Sequence, residues 1–244
     1  MSDFKYYRQN NFPPVIKNLV IINAIIYIAQ VTFDKSYNLT QRFSLYPIIS
    51  NGLKKWLEEQ NISYYGFHPF QIFTHMFSHS PTTIFHILFN MLVLWMFGRV
   101  LENVWGGKRF LFFYLACGVG AAALNIAVQS YRAELLWEAV QANDQAGVDK
   151  FQSALAGVVG ASGAIMGIMA AFAYLFPNTP LLIIPFPFPI KAKWLVLIYV
   201  AYDLIGGLGG IPGDNIAHFA HLGGAITGFI IVFIWNKTNR RTLY

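Results

Sequence analysis

"GVVGASGAIMG", residues 157–167, is a run of small residues with one hydroxyl, Ser162, set between Ala161 and Gly163. Such a run has two readings. Small residues let helices approach closely in lipid, or they leave room for another group to reach the hydroxyl. What surrounds the run decides between them. Of the 244 residues, 56% are hydrophobic and only 11% charged, with a mean hydropathy of +0.47. The apolar residues come in long blocks instead of amphipathic stripes, which marks a membrane protein.

Six blocks, at about 15–33, 82–101, 108–129, 155–176, 192–211 and 215–236, are each near the ~20 residues a helix needs to cross hydrocarbon. The expected fold class is therefore an all-α polytopic membrane protein, a bundle of six transmembrane helices forming one membrane domain over 1–244. The N-terminal region lacks a signal-peptide pattern with a cleavage site, so the first block is read as a retained span. Within 34–81, "NGLKKWLEEQ" (51–60) reads as a short amphipathic helix with Leu53, Trp56 and Leu57 on one side. Residues 130–154 read as a polar, acidic, helical insertion without an assigned role.

With both termini on the inner side, 11 Lys and Arg residues fall inside and 6 outside. The positive-inside rule then places both termini in the cytoplasm, in a bacterial inner membrane. The net charge of +6 does not indicate nucleic acid, because the basic residues flank apolar blocks instead of forming a patch. Cys117 is the single cysteine, so no internal disulfide forms.

Ionisable and polar groups inside spans are costly and are functional candidates by default. His86 and Asn90 lie in the second block, Ser162 in the fourth, His218 and His221 in the sixth. All three blocks enter from the outer side, and each candidate lies a few residues in, so they share a depth. His86 and Asn90 are four apart, on one helix face. Gly224 and Gly228 follow His221 at three and seven residues, and Gly163 and Gly167 form a matching stripe by Ser162. Two such stripes bring two helices together and set an imidazole against the serine. His218, one turn earlier, is the rival base, but the stripe lies beneath His221. The chemistry is a serine activated by a histidine base, with His86, Asn90 and the Ser162 N–H as oxyanion donors. Asp203 and Asp214 lie near outer span ends without a motif linking them to His221, so the expectation is a Ser–His dyad.

These strings resemble the rhomboid intramembrane serine proteases over roughly residues 65–236. "GASG" resembles the nucleophile motif, at Ser162, and "AHLGGAITG" the last-helix motif, at Ala220, His221, Gly224 and Gly228. "HILFN" is similar to the oxyanion motif, at His86 and Asn90, and "GRVLENVWG" to the turn after that span, at Gly98, Glu102 and Gly106. The resemblance implies endopeptidase cleavage of transmembrane protein substrates near the outer membrane face, with membrane lipid as surroundings and no cofactor, metal or nucleic acid. It departs at Met166, where the family often has an aromatic ring stacking on the histidine.

Other features take simpler readings. His75 and His79 read as neutral interfacial histidines, with no HExxH pattern for zinc, and Glu102 reads as a structural cap. "GGLGGIPGDN" (206–215) is expected to form a mobile cap over the site. An alternative function is an inactive rhomboid-like protein that binds membrane clients, and another is a proton-coupled transporter using midplane histidines.

Overall fold

The first helix is fixed from a distance. In α1 (Pro14–Tyr37), proline at the first position suits a helix start, where an N–H has no partner. The next two N–H groups, of Val15 and Ile16, donate to the carboxylate oxygens of Glu102 at 2.9 and 2.8 Å. Glu102 is buried, and it satisfies orphan donors at the positive end of α1 from 86 residues further along the chain. The chain leaves α1 through Asn38, in the left-handed conformation.

The coordinates are a computed structural model and describe residues 10–182, 188–209 and 217–238. Short helices α2 (Leu39–Phe43), α3 (Asn51–Glu59) and α4 (Gln71–Thr74) follow α1, and a 3₁₀ turn spans His75–Phe77. The remaining helices are α5 (Ile84–Trp105), α6 (Gly107–Gln141), α7 (Gln145–Phe151), α8 (Ser162–Leu175), α9 (Ala192–Gly207) and α10 (His218–Thr238). Among the described residues the only strands are a two-residue pair, Pro180–Leu181 with Ile190–Lys191, so the fold is nearly all-α.

Each of the six apolar blocks contains one helix. Four of these, α1, α5, α6 and α10, are long and apolar enough to cross a membrane, while α8 has 14 residues and α9 has 16. Two expectations need correction. The fourth block was expected to be helical from 155, yet α8 begins only at Ser162. Ahead of it the chain is extended: Val158 exchanges two backbone hydrogen bonds with Leu45, and the Gly160 N–H donates to the His75 carbonyl at 2.9 Å. Non-helical backbone of this kind survives in a membrane protein where it is buried in protein and its polar groups are paired.

The second correction concerns 130–154. The stretch is helical as expected, but the helix of the third block does not end at 129: α6 runs 35 residues, about 52 Å, well beyond a ~30 Å hydrocarbon core. Its outlying end, with Ala133 and Leu136, packs with Leu53 and Leu57 of α3 and Ala154 in a small second core. The apolar side of the amphipathic helix is thus turned onto protein. Of the expected cap at 206–215, Gly206 and Gly207 end α9, and residues 210–216 lie outside the described residues.

The centre of the bundle is α8, nearly all of it buried against α5, α6 and α10. Glycines set its distance from α10. A Cβ added to Gly224 would meet the Gly163 carbonyl oxygen at 1.8 Å, and one on Gly228 would meet that of Gly167 at 2.5 Å. From the other side, Cys117 of α6 fills the space beside Gly167. The two expected glycine stripes do face each other.

Candidate active site

Ser162 is the first residue of α8, so it sits where backbone N–H groups lack helical partners and the helix dipole is positive. The close α8–α10 contact carries His221 to it. Nε2 of His221 is 2.8 Å from Ser162 Oγ.

On the far side of the imidazole stands a group that the sequence reading set aside. Oδ1 of Asp203, in α9, lies 2.9 Å from His221 Nδ1 and 2.8 Å from His218 Nδ1. Asp203 is 1% exposed, and its Oδ2 has no partner among the described residues. A carboxylate oxygen only accepts, so both Nδ1 atoms carry the hydrogen. A neutral His221 then presents a bare Nε2 lone pair, and the Ser162 hydroxyl donates to it. The Ser162–His221 contact is thus continued by a third group, Asp203, in one hydrogen-bonded chain. His218, the rival base, bonds Asp203 through its Nδ1.

His86 has the opposite tautomer. Its Nδ1 accepts from the Ser80 N–H at 3.1 Å, so its hydrogen is on Nε2. That Nε2 and Ser162 Oγ flank the same glycine: a Cβ on Gly160 would lie 3.1 Å from one and 3.3 Å from the other. Gly160 has φ +140°, which also favours glycine. Asn90 donates one amide hydrogen to the His86 carbonyl at 2.7 Å and retains a second. Met166 is buried in the apolar core.

Ser162, His86, Asn90 and His221 line one cavity of about 950 Å³. Arg132 of α6, Asp149 and Lys150 of α7, and Ser153 line it too, so the polar stretch 130–154 forms part of its wall. This is a position that charge and hydropathy could not supply. Asp203 was legible in principle, since it is the only acidic residue in α9 and an ionisable group in an apolar block is suspect by default.

Two buried histidines outside the cavity lining, His75 and His79, are held neutral. The His75 Nδ1–H donates to the Gln71 carbonyl, 2.8 Å away, and burial lowers its pKa from 6.5 to about 4. His79 packs edge-on against His86, with ring centroids 5.1 Å apart. Burial first, and then the charge of His86, lower its pKa to about 3. Both groups titrate near 6.5 when unfolded, so below that pH the unfolded chain binds more protons than the folded one. Stability is therefore lost as pH falls through 6.5 and goes on falling towards 4 and 3. The melting midpoint in detergent should drop between pH 7.5 and 5, and His79→Gln should flatten the slope. A midpoint that rises on acidification would contradict this.

The family model for the Rhomboid domain matches residues 67–238. The chain belongs to the rhomboid family. Rhomboid protease AarA of Providencia stuartii is 28% identical over 228 residues, covering 87% of this chain and 69% of that protein. Rhomboid protein 1, mitochondrial, of Saccharomyces cerevisiae is 30% identical over 155 residues, covering 63% of this chain and 38% of that protein. Rhomboid protease GluP of Bacillus subtilis is 28% identical over 146 residues, 60% of this chain and 22% of that protein. The chain thus spans well under half of the yeast and Bacillus relatives and about two thirds of the Providencia one. Every candidate residue above lies inside the matched rhomboid region.

Proposed function

We propose that this rhomboid is an active intramembrane serine endopeptidase for transmembrane protein substrates. The observation that carries the reading is the 2.8 Å approach of a lone-pair-bearing His221 Nε2 to the Ser162 hydroxyl. Ser162 Oγ attacks the peptide carbonyl carbon while His221 takes its proton. His221 then gives that proton to the leaving amine as the C–N bond breaks, leaving an acyl ester on Ser162. Water entering through the cavity, with His221 again as base, releases the acid. The oxyanion is held by His86 Nε2–H, the second amide hydrogen of Asn90 and the Ser162 N–H. The Lys and Arg asymmetry supports cytoplasmic termini and a cavity mouth at the outer membrane face, in the bacterial inner membrane of this reading. The similarity to the Providencia protease over most of this chain supports a bacterial setting.

The alternative is an inactive, client-binding rhomboid. It has no use for a correctly protonated base on an accessible hydroxyl. A fluorophosphonate probe separates the two: the wild type should form an adduct that maps to Ser162, and Ser162→Ala should form none. A folded wild type that stays unlabelled would favour the alternative.

A further inference from the structure

We infer that Asp203 is a positioning residue for His221, and that it makes the alignment of the base depend on how α9 is seated. The inference rests on the protease reading above. An imidazole needs two things to serve Ser162: the hydrogen on Nδ1, and a ring held with Nε2 at the hydroxyl. Asp203 Oδ1 supplies both through one contact at 2.9 Å. It does so on a second histidine as well, since His218 Nδ1 shares the same oxygen at 2.8 Å. His218 is in turn confined by α9, because its Nε2 lies where a Cβ on Gly206 would be, at 2.2 Å. Tyr202 packs edge-on to the His218 ring, with centroids 5.6 Å apart. Both histidines of α10 are thus referenced to a single carboxylate on the neighbouring helix.

That neighbour is the least enclosed of the apolar helices around the site. Only Ala192, Leu195, Val196 and Asp203 of α9 are buried, whereas Trp194, Leu197, Ile198, Leu204 and Ile205 are exposed. In its second half Asp203 bonds both histidines of α10, and Gly206 and Gly207 lie against His218 and Phe219. A displacement of α9 would carry the carboxylate away from the ring. His221 would then lose both its tautomer preference and its orientation, even with Ser162 and α10 in place. Burying a carboxylate without full pairing is costly, and the unpartnered Oδ2 is consistent with a group retained for what Oδ1 does.

The test is the rate of fluorophosphonate labelling of Ser162, normalised to folded protein by thermal melting in detergent, beside kcat and KM for a transmembrane substrate. Asp203→Asn keeps the volume but can turn an N–H towards His221 Nδ1, which favours the wrong tautomer. Labelling and kcat should each fall by about 100-fold or more, with KM within about twofold. Leu195→Ala, which loosens α9 away from the site, should slow labelling by roughly fivefold or more in the wild type and add nothing in Asp203→Asn. If folded Asp203→Asn labels within threefold of the wild type, Asp203 is structural and the inference falls. If Leu195→Ala slows both backgrounds equally, the dependence on α9 falls. A wild type that does not label at all overturns the protease reading itself, which keeps the two failures apart.

Discussion

Ser162→Ala and His221→Ala should each abolish cleavage of a transmembrane substrate, and the double variant should be scarcely slower than either single. The two groups act as a unit. Without the hydroxyl there is no nucleophile, and without the imidazole the hydroxyl keeps its proton. Knocking out one member of such a unit costs nearly as much as knocking out all, on the order of 10⁴–10⁶ in kcat. His218→Ala belongs in the same experiment. His218 faces Asp203, 2.8 Å away, while His221 alone of the two reaches Ser162. Removing it leaves the Asp203 contact to His221, so measurable cleavage should remain. Thermal melting in detergent shows which variants are folded. The assignment of the base fails if folded His218→Ala is dead while His221→Ala still cuts.

A single methyl group at Gly224 should also be damaging, through packing. Its Cβ would stand 1.8 Å from the Gly163 carbonyl oxygen, a backbone atom that cannot rotate aside. An ordinary carbon–oxygen contact is about 3.3 Å, so α8 and α10 must separate locally by roughly 1.5 Å. That separation opens the Ser162–His221 contact, since Gly163 and Ser162 are adjacent. Overpacking of this kind costs about 1–3 kcal/mol or more, and a 1 Å misplacement at a reacting centre costs about 100-fold. Gly224→Ala should therefore lower both the melting midpoint and kcat, the latter by about 100-fold or more. Phe229→Ala, on the exposed side of α10, is the control and should change kcat little. Full activity in Gly224→Ala would mean that the helix contact does not set the site.

Much of this architecture could be read from the chain, and the exceptions have physical causes. Block hydropathy located a helix in each of six places because the bilayer imposes length and apolarity together. It misplaced the start of α8, since 156–161 is as apolar as the helix behind it. There, pairing with Leu45 and His75, distant in sequence, holds the chain extended. Hydropathy also took the end of a span for the end of a helix. α6 continues past 130 because "YRAELLWEAVQ" keeps helix-favouring residues after apolarity is lost, and α3 supplies a partner for its apolar side. Ser162, His221, His86 and Asn90 were legible because helical spacing and the glycine stripes encode their meeting. Asp203 was legible only as an ionisable residue in an apolar block; its contact with His221 was not, since that depends on the angle between α9 and α10, and no spacing within either helix records it.

The central claim is that Ser162 cuts a peptide bond inside a substrate's membrane span. The most direct measurement is to reconstitute purified wild type and Ser162→Ala in liposomes with a single-span substrate, and to map the new termini by mass spectrometry. New termini should lie within the span, in its outer third, with the wild type only. Cleavage confined to residues outside the span, or equal cleavage by folded Ser162→Ala, would contradict the account.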